Sequence, residues 1–117
     1  MRRFIGLIYR YEGDYKDIII ETHEVNEITR AILSDNIFKM SYTLLDNDTS
    51  VQINLKSKDG FAFSGSSKLM GDDGFAGKID LNFYSNKTKS ILIGKWIEDG
   101  EIDTCIIELE EVKEFKD

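Results

Sequence analysis

The sequence has few of the residues that form disulfides, bind metals or interrupt strands. Its 117 residues include one cysteine, one histidine and no proline. A single cysteine excludes an intramolecular disulfide, and a single histidine excludes a metal site built from several histidines. Because proline is absent, every residue keeps the backbone N–H that a β ladder needs. We therefore expect a fold held together by its hydrophobic core, with no metal and no cofactor.

Long apolar segments are also lacking. No stretch of the chain approaches the length needed to span a bilayer, so a membrane is not an expected partner. The apolar run that begins at Phe4 ends at Arg10, which is too short for the apolar region of a secretory signal. We therefore expect a cytoplasmic protein. Its length fits a single domain over residues 1–117.

The formal net charge of −7 is concentrated at one end of the chain. Residues 1–97 contain 13 acidic and 13 basic residues, whereas residues 98–117 contain 9 acidic residues and 2 lysines. The excess of negative charge argues against nucleic-acid binding, because phosphate groups are neutralised by a basic surface. The acidic end instead favours a basic protein partner.

Alternating apolar and polar residues predict an all-β fold. From Phe38 onward, apolar residues recur at every second position between turn sequences, which predicts six strands, the last two over 90–98 and 102–109. Before them, Phe4 to Tyr11 predicts a strand, and 18–21 can pair back with it. Seven or eight antiparallel strands in one meander lose their exposed edges by closing into a small barrel. A two-sheet β-sandwich is the alternative.

One short helix is favoured over 27–33. Asn26 suits the position that caps a helix N-terminus. Ile28, Ala31 and Ile32 share one face of a helix. This segment is the only α element that we expect.

The C-terminal hairpin is predicted in most detail. Asp99-Gly100 is a strong signal for a two-residue turn, which pairs residues whose numbers sum to 199. One face of the hairpin then carries Leu92 and Trp96, and the other carries Ile93 and Ile97. Because both faces are apolar, we expect something to cover the second one.

Two covers are compatible with the sequence. The chain itself can supply one, through 18–33 or through the tail 112–115, since monomers usually bury such patches internally. The other is a protein partner, steered by carboxylates and anchored by apolar side chains. The candidate partner-binding residues are Trp96, Ile97, Glu98, Asp99, Glu101, Ile102, Asp103 and Glu108.

Catalysis has little support in the sequence. His23 is the only histidine, and it lies in a polar stretch where a surface position is expected. Cys105, the only cysteine, lies in the middle of a predicted strand, where a small buried apolar residue is expected. We therefore expect the protein not to be an enzyme.

The order of elements resembles that of lipocalins and fatty-acid-binding proteins, which are small antiparallel barrels. Lipocalins carry Gly-x-Trp on their first strand, whereas the match here, Gly94-Lys95-Trp96, lies near the other end. Fatty-acid-binding proteins hold the ligand carboxylate with an arginine near the C-terminus, whereas the last arginine here is Arg30. Since a buried carboxylate without a cation is costly, the resemblance implies at most a carrier of a small neutral apolar molecule. Its site would be bounded by Phe38, Tyr42, Phe61, Phe63, Phe83 and Trp96.

A short, acidic β protein without catalytic residues also resembles the immunity proteins that bacteria keep beside antibacterial toxins. Toxin domains that cut nucleic acids tend to be basic, and an acidic inhibitor associates with them quickly. The resemblance implies a non-catalytic protein that binds and occludes a basic toxin domain. We take this as the leading expectation and the apolar carrier as the alternative.

Overall fold

The computed structural model describes residues 1–12, 23–44, 49–69 and 76–116. Within these ranges the regular structure is entirely β-strand, and no helix long and apolar enough to cross a bilayer is found there. The strands are β1 (Arg2–Glu12), β2 (His23–Ser34), β3 (Ile37–Thr43), β4 (Ser50–Ser57), β5 (Ala62–Leu69), β6 (Ala76–Ser85), β7 (Ser90–Glu98) and β8 (Glu101–Val112).

The eight strands form one closed antiparallel barrel. Each strand pairs with its neighbour in sequence, and β1 also pairs with β8. The predicted all-β meander and its closure are confirmed, so the β-sandwich alternative is set aside. The strand predicted at 18–21 lies outside the described residues.

The prediction of a helix over 27–33 is wrong, because these residues lie within β2. β2 contains a β-bulge: Ile28 is opposite Tyr42, whereas Arg30 is opposite Ser41, so β2 has one extra residue. The bulge brings Ile28 and Ala31, three residues apart, to the same inner face, where both are fully buried. That spacing imitates the period of a helix.

Apolar side chains from all eight strands fill the barrel interior. An eight-stranded barrel is just wide enough for side chains to fill it. Near the start of β3 and β5 and the end of β6, the ring of Phe38 lies 5.2 Å from that of Phe63 and 5.4 Å from that of Phe83, measured between ring centroids. The largest fully buried side chains are Trp96, Tyr42, Phe4, Phe38, Phe63, Ile8, Ile28, Ile53, Leu55, Ile79, Leu92 and Ile107.

The C-terminal hairpin has the predicted register. Gly94 pairs with Cys105, and Ile97 pairs with Ile102, as a turn at Asp99-Gly100 requires. Both turn residues have positive φ, 50° and 78°, the conformation of a two-residue turn that matches the twist of the strands. Because side chains alternate between the two faces of β7 and β8, one apolar row points into the barrel and the other points outward.

Candidate functional site

The outward row of the hairpin forms an apolar surface, which we call the hairpin face. Two of its cross-strand pairs are Ile93 with Ile106 and Ile97 with Ile102. Ile102 is 51% exposed, and the other three are partly buried. The hairpin face consists of Ile91, Ile93, Ile97, Ile102 and Ile106.

Apolar side chains extend the hairpin face on both sides. On β1, Tyr9 lies opposite Ile106, and Leu7, 37% exposed, lies opposite Glu108. Tyr84 on the other side is 46% exposed and packs edge-on against Phe61, with 5.3 Å between ring centroids. The apolar surface therefore crosses several strands of the wall.

A groove of about 810 Å³ runs along the outside of β5 to β8 beside the hairpin face. Small side chains, including Ala62 and Thr104, line it, while Tyr84 and Ile102 are larger. Its polar lining includes a hydrogen bond of 2.7 Å, which Ser64 Oγ donates to Asp80. The complete lining is Ala62, Phe63, Ser64, Asp80, Leu81, Asn82, Tyr84, Ile93, Gly94, Lys95, Ile102 and Thr104.

The inward row ends in a polar cluster at one end of the barrel, which we call the mouth. Arg10 Nη2 donates a hydrogen bond of 2.9 Å to Asp103 Oδ2 and lies 3.6 Å from Glu98 Oε2. The Arg10 guanidinium stacks over the Trp96 ring, 4.2 Å from its centroid. Trp96 Nε1 in turn donates a 3.0 Å hydrogen bond to Glu98 Oε1. A cation over an indole face is stabilised by the ring quadrupole, so the four side chains hold one another in place.

The mouth also contains a small cavity of about 230 Å³. Gly77 makes room for the indole beside it, because a Cβ at this position would lie 2.5 Å from Trp96 Nε1 and 2.9 Å from Ser67 Oγ. Ser67 Oγ accepts a hydrogen bond of 3.1 Å from the Gly77 backbone N–H. The cavity is lined by Arg10, Tyr42, Leu44, Val51, Ser67, Leu69, Trp96 and Glu98.

The predicted partner-binding residues divide between these two regions. Ile97, Ile102 and Glu108 lie on the outer surface, and Asp99 and Glu101 are exposed at the hairpin tip. The other three belong to the mouth: Trp96, Glu98 and Asp103.

Trp96 does not lie on the hairpin face. Its side chain is 2% exposed, because it shares the inward row of β7 with Leu92. The aromatic anchor expected on the outer surface is therefore part of the barrel core. Tyr84 and Phe61 are the exposed rings next to the groove.

Glu108 lies at the side of the hairpin face, between β1 and β7. It pairs with Ile91 on one side and Leu7 on the other. The pKa of Tyr9 is raised above its ordinary value, and burial is the largest cause. The negative charge of the nearby Glu108 carboxylate and a hydrogen bond to it raise the pKa further. The Tyr9 hydroxyl therefore lies beside the Glu108 carboxylate.

Arg10 is the site residue that the sequence analysis missed. It lies opposite Cys105 of β8, and its hydrogen-bond partner Asp103 is 93 residues away in the chain. The signal available was its position in the inward row of β1, after Phe4, Gly6 and Ile8. A charged residue continuing an apolar row indicates a buried or partly buried pair.

Of the two residues considered for catalysis, the structure describes the side chain of Cys105 alone. Cys105 is fully buried, and burial raises the pKa of its thiol to about 12. The thiolate that attacks substrates is therefore disfavoured. His23 begins β2, but its side chain lies outside the described residues. Among the described side chains, no group of three or more potential metal ligands is found.

Neither described segment expected to cover the hairpin face does so. β2, which includes most of 18–33, is part of the barrel wall between β1 and β3. In the tail, the Phe115 ring lies 4.9 Å from the guanidinium of Arg30 on β2, and β1 separates β2 from the hairpin. Residues 18–22 of the other candidate cover lie outside the described residues.

Comparison of the chain with models of known protein families finds no match, and comparison with curated proteins finds none either.

Proposed function

We propose that the chain is a non-catalytic protein-binding module whose hairpin face holds a basic protein partner. The observation that carries the proposal is the exposed apolar surface of the hairpin face and its flanks. Exposed contiguous apolar patches on soluble proteins mark interaction sites, because leaving them in water is unfavourable. Ile102, Tyr84 and Phe61 are each more than two-fifths exposed.

The charge around this surface supports a basic partner. Asp99 and Glu101 are exposed at the hairpin tip, and Glu108 borders the isoleucines. Two exposed lysines lie at the same surface: Lys95, paired with Thr104 between the two isoleucine pairs, and Lys78, opposite Ile97 on β6. With a net charge of −7, the whole chain attracts a positively charged protein over a long range, which raises the association rate.

The most specific form of the proposal is an immunity protein that occludes a basic antibacterial toxin domain in the cytoplasm. An inhibitor of this kind needs a rigid binding surface and no chemistry of its own. A closed barrel provides rigidity, because none of its strands is left as an exposed edge.

An apolar carrier is the second candidate and has less support. Three of the rings expected to bound its ligand, Phe38, Phe63 and Phe83, pack against one another inside the barrel. Another of them, Phe61, points outward and is 44% exposed. A ligand held between these three rings would have to push them apart.

The test compares two isoleucines that each lie just after a tight turn. Ile102 belongs to the hairpin face, and Ile37 begins β3, four strands from β7 in the closed barrel. The partner probe is the basic domain of a toxin encoded beside this chain's gene. We expect Ile102→Asp to weaken binding about 30-fold, the effect of losing an interface hot spot, and Ile37→Asp to leave it unchanged.

Steering by charge is measured in the same assay. Replacing Asp99 and Glu101 with lysine should slow association and reduce its dependence on salt. In cells that express the toxin, Ile102→Asp should lose protection while Ile37→Asp retains it. If Ile102→Asp and Ile37→Asp bind the partner with equal affinity, and the charge-reversal variant keeps the salt dependence of the wild type, the partner does not use this surface.

A further inference from the structure

The mouth cavity has the size and walls of a pocket for one long side chain. Its volume of about 230 Å³ is below the ~300–1,000 Å³ of typical small-molecule sites. Leu44, Val51 and Leu69 supply aliphatic wall, and Tyr42 and Trp96 supply rings. Such walls suit a hydrocarbon stem with a polar end group.

The charges at the mouth favour a cation as that end group. Among the described side chains of the cluster, Arg10 carries one positive charge, while Glu98 and Asp103 carry one negative charge each. Arg10 and Glu98 both line the cavity, and Arg10 donates its hydrogen bond to Asp103, which is not part of the lining. The net charge of −1 disfavours a carboxylate and attracts an ammonium or guanidinium group.

Glu98 can accept a further hydrogen bond. Its Oε1 accepts from Trp96 Nε1, whereas its Oε2 lies 3.6 Å from Arg10 Nη2, beyond hydrogen-bonding distance. An ionised carboxylate has about four acceptor positions, so Oε2 is available to a donor that enters the cavity. The Glu98 side chain is 24% exposed, which gives such a donor access.

We propose that the mouth cavity binds the side chain of a lysine or arginine supplied by the basic partner. The proposal rests on the proposed function for the identity of the partner. The stem lies against the aliphatic wall, and the cationic end group binds the Glu98 carboxylate. The hairpin face and the mouth are then two parts of one interface, joined at the hairpin tip.

The site is tested without the partner, using small molecules that imitate the side chains. The probes are n-butylammonium and n-butylguanidinium, with 1-butanol as the neutral probe and butyrate as the anionic probe, all at constant ionic strength. Trp96 is the only tryptophan and lines the cavity, so its emission reports binding directly. We expect the cations to bind about tenfold more tightly than 1-butanol, and butyrate more weakly than either.

Two matched variants identify the charge responsible. Glu98→Gln keeps the shape and an acceptor for Trp96 Nε1 but removes the charge, and should bring the cation preference to within about twofold. Glu27→Gln removes the same charge from an exposed position on β2 and should leave the tenfold preference intact. The proposal is overturned if no probe alters the emission, if butyrate or butanol binds as tightly as the cations, or if Glu98→Gln retains the preference.

Failure here can be distinguished from failure of the proposed function. If the probes do not bind while Ile102→Asp still weakens partner binding, only the proposal of a cation site in the mouth is refuted. If the probes bind while Ile102→Asp binds the partner normally, the hairpin face is excluded and the cation site remains. In the complex, Glu98→Gln should weaken the partner about tenfold, whereas a free small amine as the natural ligand would leave partner affinity unchanged.

Discussion

Two arginine–carboxylate pairs join β1 to β8 at opposite ends of the barrel, and they should differ in strength. In the mouth, Arg10 and Asp103 are 2.9 Å apart, with side chains 16% and 19% exposed. At the other end, Arg2 and Glu111 are 3.1 Å apart, with side chains 43% and 52% exposed. Both pairs join an arginine of β1 to a carboxylate of β8, and the more exposed one has two hydrogen bonds, of 3.2 and 3.1 Å, so a stronger coupling in the mouth would have to come from burial.

The expected coupling follows from that exposure. A hydrogen bond to a charged group contributes about 1.5–3 kcal/mol, and breaking a fully buried ion pair costs about 3–5 kcal/mol. Because water still reaches part of Arg10 and Asp103, we expect a coupling free energy of about 2 kcal/mol between them. Arg2 lowers the pKa of the Glu111 carboxyl, so this pair interacts, but because both side chains are well exposed we expect its coupling to be clearly smaller than that of Arg10 and Asp103.

The measurement is a double-mutant cycle for each pair, with every member replaced by alanine. Equilibrium unfolding in urea should be followed by far-ultraviolet circular dichroism, because Arg10 stacks on Trp96 and its removal changes the fluorescence baseline. Coupling below about 0.5 kcal/mol for Arg10 and Asp103, or equal coupling in the two cycles, would refute the argument from burial.

Two further predictions concern the barrel interior. Burial raises the pKa of Cys105 from 9.0 to about 12, so the unfolded chain ionises first as pH rises and stability is lost above pH 9. Relative to Cys105→Ala, the wild-type free energy of unfolding should fall by about 1.4 kcal/mol between pH 7 and pH 10, and parallel pH profiles would contradict this. Gly77→Ala should push the indole of Trp96 aside, lower the free energy of unfolding by about 1–3 kcal/mol and shift the emission to the red. Unchanged stability and emission would show that Gly77 is not needed for the position of Trp96.

The hairpin could be predicted from sequence because its geometry is local. Asp99-Gly100 allows a tight turn with positive φ, and this turn alone fixes which residues of β7 and β8 face each other. From that register, alternation assigns Ile93 and Ile97 to one face and Trp96 to the other. Which face points inward depends on the closure of the barrel, and no local pattern decides it.

The error over 27–33 has a physical origin in the bulge of β2. One extra residue between Ile28 and Ala31 changes the inward spacing from two to three, and three is also a helical spacing. A bulge is stabilised by the strands on either side of it, which a window of sequence does not contain. The segment is therefore ambiguous until its neighbours are known.

The mouth cluster was beyond local prediction for a similar reason. Arg10 meets Asp103 because the first and last strands pair when the barrel closes. The acidic C-terminal end suggested a rim of free carboxylates, yet Glu98 and Asp103 turn inward to the arginine. The excess of negative charge at this end can be counted from the sequence. Which of its carboxylates pair with Arg10 cannot be read from the sequence.

The central claim is that a basic partner binds the hairpin face. Isoleucine methyl spectra, recorded during titration with the basic toxin domain, test it most directly because isoleucines lie both on the hairpin and on β2 and β3, two and three strands from β8. We predict that the signals of Ile97, Ile102 and Ile106 shift or broaden on binding, while those of Ile32 and Ile37 on β2 and β3 stay unchanged. Changes centred on Ile32 and Ile37, with Ile102 unaffected, would contradict the account.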